Sequence, residues 1–192
     1  MRRISPIVLA AALVGATCRP AWADGFITPF LGSNFGGDSA NCASLTNCQE
    51  KRANFGVSLG TTGGVFGFEE DIAYAKDFFA AVPGVDNNVF TAMSNLTVAI
   101  PAGPIQPYVL GGVGLIRPHV SLNPTNITSD NNAFGYDLGG GVNVYFVRHA
   151  GIRGDIRHFH TLQDVGILRL NEIFTGEKLD YWRASVGVTL RF

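Results

Sequence analysis

The stretch Tyr181–Phe192, "YWRASVGVTLRF", alternates almost without fault. Trp182, Ala184, Val186, Val188, Leu190 and Phe192 fall on one parity. Arg183, Ser185, Gly187, Thr189 and Arg191 fall on the other. A period of two specifies a β-strand with two unlike faces. The first face needs an apolar environment. The second carries two arginines, which need water or partners.

The same pattern recurs through the chain. Eight alternating segments can be drawn, at 25–34, 51–60, 64–75, 88–100, 105–117, 133–146, 150–160 and 180–192. No stretch between them holds a helical period. The connections after the second, fourth and sixth segments are tight: "TTGG" at 61–64, "PAGP" at 101–104 and "RHA" at 148–150. Those after the first, third, fifth and seventh are long and polar, at 35–50, 76–87, 118–132 and 161–179. Strict sorting of loop length by parity fits an antiparallel up-and-down barrel with both termini at one rim. Transmembrane barrels of this kind have an even strand count, short turns at one end and long loops at the other. The expected fold is therefore all-β, an eight-stranded antiparallel transmembrane β-barrel over residues 24–192.

The faces agree. In 133–146 the outward set is Phe134, Tyr136, Leu138, Gly140, Val142, Val144 and Phe146, against Gly135, Asp137, Gly139, Gly141, Asn143 and Tyr145. In 52–60, Ala53, Phe55, Val57 and Leu59 oppose Arg52, Asn54, Gly56, Ser58 and Gly60. In 92–100, Ala92, Ser94, Leu96, Val98 and Ile100 oppose Met93, Asn95, Thr97 and Ala99. A soluble core would not accept the polar set. A soluble ligand-binding barrel would turn it outward, but with a Lys/Glu-rich surface. Here charged residues are 15% of the chain, against about 25% in ordinary soluble domains. The only lysines are Lys51, Lys76 and Lys178, and the net charge of -1 gives no basis for nucleic-acid binding.

Residues 1–23 read as a secretory signal. Arg2 and Arg3 precede the apolar run 7–17, and Ala21-Trp22-Ala23 is an A-x-A cleavage site. Lipoprotein processing at Cys18 is the rival, without the usual residues before the cysteine. The apolar run falls short of the ~20 residues a membrane helix needs.

Two places resist the pattern. In 25–34 both parities hold apolar residues, and Pro29 has no N–H for the ladder. In 64–75, Glu69, Asp71 and Ala73 turn inward, which puts Glu70 on the lipid side near mid-strand, a conflict that a bulge would remove by re-aiming it and a proton would relieve. The inward charges Glu69, Asp71, Asp137, Arg153, Asp155, Arg157, Arg183 and Arg191 form the candidate site, a salt-bridge network in the bore. An eight-stranded barrel is narrow enough for side chains to fill it. A gated ion path or an active site is the sharper alternative, and a narrow porin-like channel is a competing function.

The set "RPAWADGFITPFLGSNFGG" (19–37), "PYVLGGVGLIRP" (107–118), "GGGVNVYF" (139–146), "GIRGDIRHF" (151–159) and the terminal Phe192 resembles the small eight-stranded outer-membrane barrels of Gram-negative bacteria, the OmpA-like and porin-like surface-antigen group. The resemblance covers 24–192. It implies a bacterial outer-membrane protein, without assigned catalysis in most members. Outer-membrane lipid and the barrel-assembly machinery are its implied partners, and an external ligand for the loops is left open. Phe192 resembles the terminal aromatic presented to that machinery.

The remaining constellations are weaker. Cys42 and Cys48 flank "ASLTN" in the first long loop and, in an oxidising compartment, point to a disulfide. "RGD" at 153–155 lies within a strand, not at a loop tip. His149, His158 and His160 raise a lipid-modifying enzyme, but His158 is followed by Phe159 and His160, so the His-x-Ser pair of such enzymes is missing. Tyr74, Phe78, Phe79, Phe134, Tyr136, Phe146, Trp182 and Phe192 suit interfacial belts. No catalytic residue, metal or cofactor is expected.

Overall fold

The tight turn at Gly64 sets the register of one wall. Gly64 has φ 74°, a conformation open to glycine, and so does Gly103 (φ 68°) in the next short turn. From the first turn the strand Ala53–Gly63 (β2) runs antiparallel to Phe66–Lys76 (β3), so that Ser58 faces Asp71 and Leu59 faces Glu70. The computed structural model describes residues 24–39, 52–79, 85–122, 127–130, 132–162 and 178–192. The other strands are Asp24–Phe35 (β1), Val85–Ala99 (β4), Ile105–Leu122 (β5), Ile127–Asp130 (β6), Ala133–Val147 (β7), Ala150–Thr161 (β8) and Asp180–Arg191 (β9). Every pairing is antiparallel. Pairing of β4 with β5 and of β1 with β9 closes eight strands into a barrel, and β6 adds only to the upper part of β5. Closure leaves the barrel wall no unpaired edge.

The first and last strands meet where Phe192 and Gly25 exchange backbone hydrogen bonds of 2.9 and 3.0 Å. Pro29 is accommodated in β1, where it stands between Val57 and the β9 strand. The β4–β5 hairpin is longer than its sequence pattern indicated. Pairing continues to Val85 and Leu122, and β6 lies inside what reads as a loop at 118–132. The alternation there fades, but backbone pairing does not depend on it.

The faces are inverted relative to a soluble protein. Leu31 is 69% exposed on the outer wall while Arg157 in the bore is 1% exposed. Phe55, Leu96, Val109, Val113, Leu138, Ile156 and Val186 continue the exposed apolar wall. A continuous apolar surface of this kind is stable only against another apolar medium. In β1 the buried parity is Phe26, Thr28, Phe30 and Asn34. Phe26 and Phe30 stand opposite Gly60 and Gly56. A Cβ on Gly56 would lie 2.5 Å from the Phe30 ring, and one on Gly60 2.8 Å from the Phe26 ring. The glycines thus make room for rings inside a narrow bore.

The long-loop end of the bore is apolar. Phe78, Val89, Met93, Ile116, Phe159, Leu179 and Tyr181 form one buried cluster there, with Phe159 and Tyr181 stacked at 4.9 Å. This corrects the expectation for Phe78. It is 1% exposed and caps the bore, because the chain turns inward past β3 and brings its ring edge-on to Tyr181 at 4.7 Å.

Candidate functional site

Three arginines and four carboxylates meet in the middle of the bore. Arg153, Asp155 and Arg157 lie on β8 at i, i+2 and i+4, so they share the inward face. Glu69 and Asp71 share the inward face of β3. In the closed ring of eight strands β3 and β8 are diametrically opposite, so long arginine side chains on β8 reach the acids across the full bore. Arg183 enters from β9 and Asp137 from β7.

Arg157 is the hub. Its Nη2 lies 2.7 Å from Glu69 Oε1 and 2.9 Å from Asp155 Oδ2, and its Nη1 lies 3.4 Å from Asp71 Oδ2 and 3.7 Å from Asp137 Oδ2. Arg153 donates through Nη1 to Glu69, and through Nε to Tyr108 Oη at 2.6 Å and Asp155 Oδ2 at 3.2 Å. Tyr108 passes its own hydrogen to Asp155 at 3.0 Å, and Ser185 donates to the same carboxylate at 2.7 Å. Asp71 accepts from Arg183 Nη2 at 2.6 Å and from Ser58 at 2.9 Å. Arg157 and Arg183 are directly opposed in register, a like-charge pair that would repel. Asp71 contacts both and offsets that repulsion.

Aromatic rings supply the rest of the lining. The Arg183 guanidinium lies 4.9 Å from the Phe30 ring centre and 4.7 Å from that of Phe159, and Arg153 lies 4.6 Å from that of Tyr108. Such contacts strengthen when desolvated. Gly141 gives Tyr108 and Asp155 their space: a Cβ there would lie 2.5 Å from Tyr108 Oη and 2.6 Å from Asp155 Cβ.

The balance is uneven. Among the described residues, Glu69, Asp71, Asp137 and Asp155 pair with Arg153, Arg157 and Arg183, four acids against three arginines. Asp137 is the least satisfied. It is fully buried, makes no hydrogen bond, and has only the long contact to Arg157. Arg191, expected in this network, stands apart from it near the short-turn end. There it donates to Gln106 at 2.8 Å and stacks over Tyr145 at 3.8 Å. It sits eight residues beyond Arg183 on β9, too far along the strand to reach the cluster.

The network separates two small recesses. One at the short-turn end is lined by Phe26, Thr97, Gln106, Tyr108, Asn143 and Arg153, among others. The other lies beside Arg183, between Asn34, Asn54, Val89 and Tyr181. Above it sits the apolar cap. Arg153 and Asp155 of the "RGD" triplet are buried in the bore, 5% and 7% exposed, and so are not displayed. Cys42 and Cys48 lie outside the described residues.

On the outer wall, His158 and His160 converge on one carboxylate, Asp180, at 2.9 and 3.0 Å. Trp182 packs against His158 at 4.8 Å and Tyr136 against His160 at 5.4 Å, a group with the character of an interfacial belt. Among the described residues, no group of three or more His, Cys, Asp or Glu side chains is arranged to hold a metal ion. Glu70 does face outward. The register of β3 with both neighbours runs without a bulge, and Ser94 donates to the Glu70 carboxylate, with Oγ 2.8 and 2.9 Å from its two oxygens.

Tyr108, Ser58 and Ser185 belong to the site although the charges alone did not point to them. The register would have: Ser58 faces Asp71 and Ser185 faces Asp155 on adjacent strands.

Residues 9–192 match the family model described as the outer membrane protein beta-barrel domain. The fold is similar to neisserial surface protein A (NspA), with a TM-score of 0.63 at 14% identity over 88% of this chain and 97% of that one. It is similar to the N-terminal β-barrel domain of Pseudomonas aeruginosa OprF, with a TM-score of 0.55 at 16% identity over 88% and 97%. It is also similar to OprG of Pseudomonas aeruginosa, with a TM-score of 0.55 at 15% identity over 88% and 96%. These identities carry the fold alone. No curated protein sequence matches the chain.

Proposed function

Because the chain belongs to the outer membrane protein β-barrel family, we propose that it is a non-enzymatic, integral outer-membrane barrel of the surface-antigen type, which displays long loops above a bore filled by side chains. The observation that carries this reading is the Arg157 hub, 1% exposed and braced between opposite walls. A wall that is apolar outside and charged inside supports a lipid surrounding. Residues 1–23 direct export, and Phe192 is the signal read by the assembly machinery. Cys42 and Cys48 form a disulfide within the first external loop, and the loops carry any ligand contact.

A catalytic role would need a nucleophile beside a base. His158 and His160 instead share Asp180 on the lipid-facing rim, which supports anchoring over activation. A pore would need an open bore, and the apolar cap with the network beneath it favours a closed one. Conductance in planar bilayers tests this. The reading predicts no steady ion current from the purified barrel. Stable, stepwise channels in the unmodified protein would refute it.

A further inference from the structure

Unpartnered polar atoms gather in the bore where β4, β5 and β7 run side by side. Asn95 faces Gly112 in register, and Gly112 faces Asp137. Asn95 and Asp137 are both fully buried. Among the described residues, neither Asp137 oxygen and neither polar atom of the Asn95 amide has a hydrogen-bond partner. The Asn95 amide oxygen leans over Gly112, where a Cβ would overlap it, and so is displaced from β4 toward the strand that carries Asp137. Three bare oxygens therefore share one dry region. Buried polar groups without partners cost free energy, and a carboxylate costs most. The charges agree, since four acids against three arginines leave one negative charge over. Arg157 does not cancel it at Asp137, where its 3.7 Å contact is the longest of the four it makes.

We propose that Asp137 and Asn95 form a site for one small monovalent cation, of which sodium is the type, held by the two carboxylate oxygens and the amide oxygen. Hard cations take carboxylate and amide oxygens as ligands. One positive charge balances the bore, whereas a divalent ion would overshoot it beside Arg157. A water molecule would serve the hydrogen bonds and leave the charge. A proton on Asp137 would balance the charge but join only two of the three oxygens. The recess at the short-turn end gives the ion a way in. Thr97 and Glu69 line it, and Asn95 lies in register with Glu69 and two residues from Thr97 on the same strand. The inference rests on the filled bore proposed above, and the ion completes that filling.

Urea unfolding in zwitterionic lipid vesicles tests the site, with choline chloride exchanged for sodium chloride at constant ionic strength and pH. The folding equilibrium constant of the wild type should rise about tenfold, the effect of an ion at roughly ten times its dissociation constant. Asp137→Asn, whose bore is already balanced, should show no rise. Asn95→Leu removes the amide oxygen and leaves the charge, so its rise should move to higher sodium concentration. Arg191→Met, which stands apart from the site, should keep the wild-type response. Should Asp137→Asn fail to fold, the wild type and Asn95→Leu decide between them. A wild type indifferent to sodium, a rise in either site variant equal to that of the wild type, or stability that follows pH and no cation, as a proton on Asp137 would give, would each overturn the site. A wild-type protein with no heat-dependent gel mobility would overturn the filled barrel itself, and the site with it.

Discussion

Replacing Arg157 with Met removes the hub of the bore while keeping a side chain of similar reach. The guanidinium serves four carboxylates, at 2.7, 2.9, 3.4 and 3.7 Å. Glu69 would keep Arg153, Asp71 would keep Arg183 and Ser58, and Asp155 would keep Arg153, Tyr108 and Ser185. Asp137 would lose its one ion pair. The imbalance would grow from four acids against three arginines to four against two. Removing one partner of a buried pair costs about 3–5 kcal/mol, because a desolvated charge is left behind. We expect Arg157→Met to fall in that range. Equilibrium unfolding by urea in lipid vesicles measures it, using residues 24–192, whose one tryptophan, Trp182, reports on the outer wall. Arg191→Met is the control. Arg191 bonds a neutral glutamine and a ring near the bore's end, so its loss should cost about 1 kcal/mol or less. An Arg157→Met barrel within about 1 kcal/mol of wild type, or no more destabilised than Arg191→Met, would refute the claim that the network holds opposite walls together.

Asp137→Asn removes the carboxylate in excess, so it should be neutral or stabilising by up to about 1 kcal/mol, and it should soften the cost of Arg157→Met; urea midpoints of the single and double variants check both. Asp155→Asn is the contrast. That carboxylate accepts from two arginines, a tyrosine and a serine, and its loss should cost about 3–5 kcal/mol in the same assay. Phe30→Ala empties the space over Gly56 and strips one ring from Arg183, a loss of about 3 kcal/mol in unfolding free energy. Gly141→Ala forces a methyl group toward Tyr108 Oη and the Gly154 carbonyl, 2.5 and 2.3 Å from the ideal Cβ position, and should cost about 1–3 kcal/mol.

Much of the barrel was legible because its faces are so unlike. In 52–60 and 133–146 the inward set of Asn54, Ser58, Asp137 and Asn143 could not belong to a soluble core, and the parity of loop lengths fixed the direction of the strands. β1 was not legible, since Phe26 and Phe30 look like lipid-facing residues. They turn inward because glycines on β2 leave space and arginines supply a cationic face, and neither fact is local to β1. The inward parity of the charges followed from alternation alone. Their pairing did not, because it depends on ring closure placing β3 opposite β8. Arg191 shows the limit of parity: it shares a face with Arg183 but not a height. Phe78 was hidden for a related reason, since a residue past a strand end has no parity to read.

The central claim is that this wall faces lipid and this bore is filled. Cell fractionation followed by electrophoresis with and without boiling tests it most directly. The account predicts protein in the outer-membrane fraction whose mobility shifts on heating, as an intact barrel unfolds only then. A protein recovered in the aqueous phase, with the same mobility before and after boiling, would contradict it.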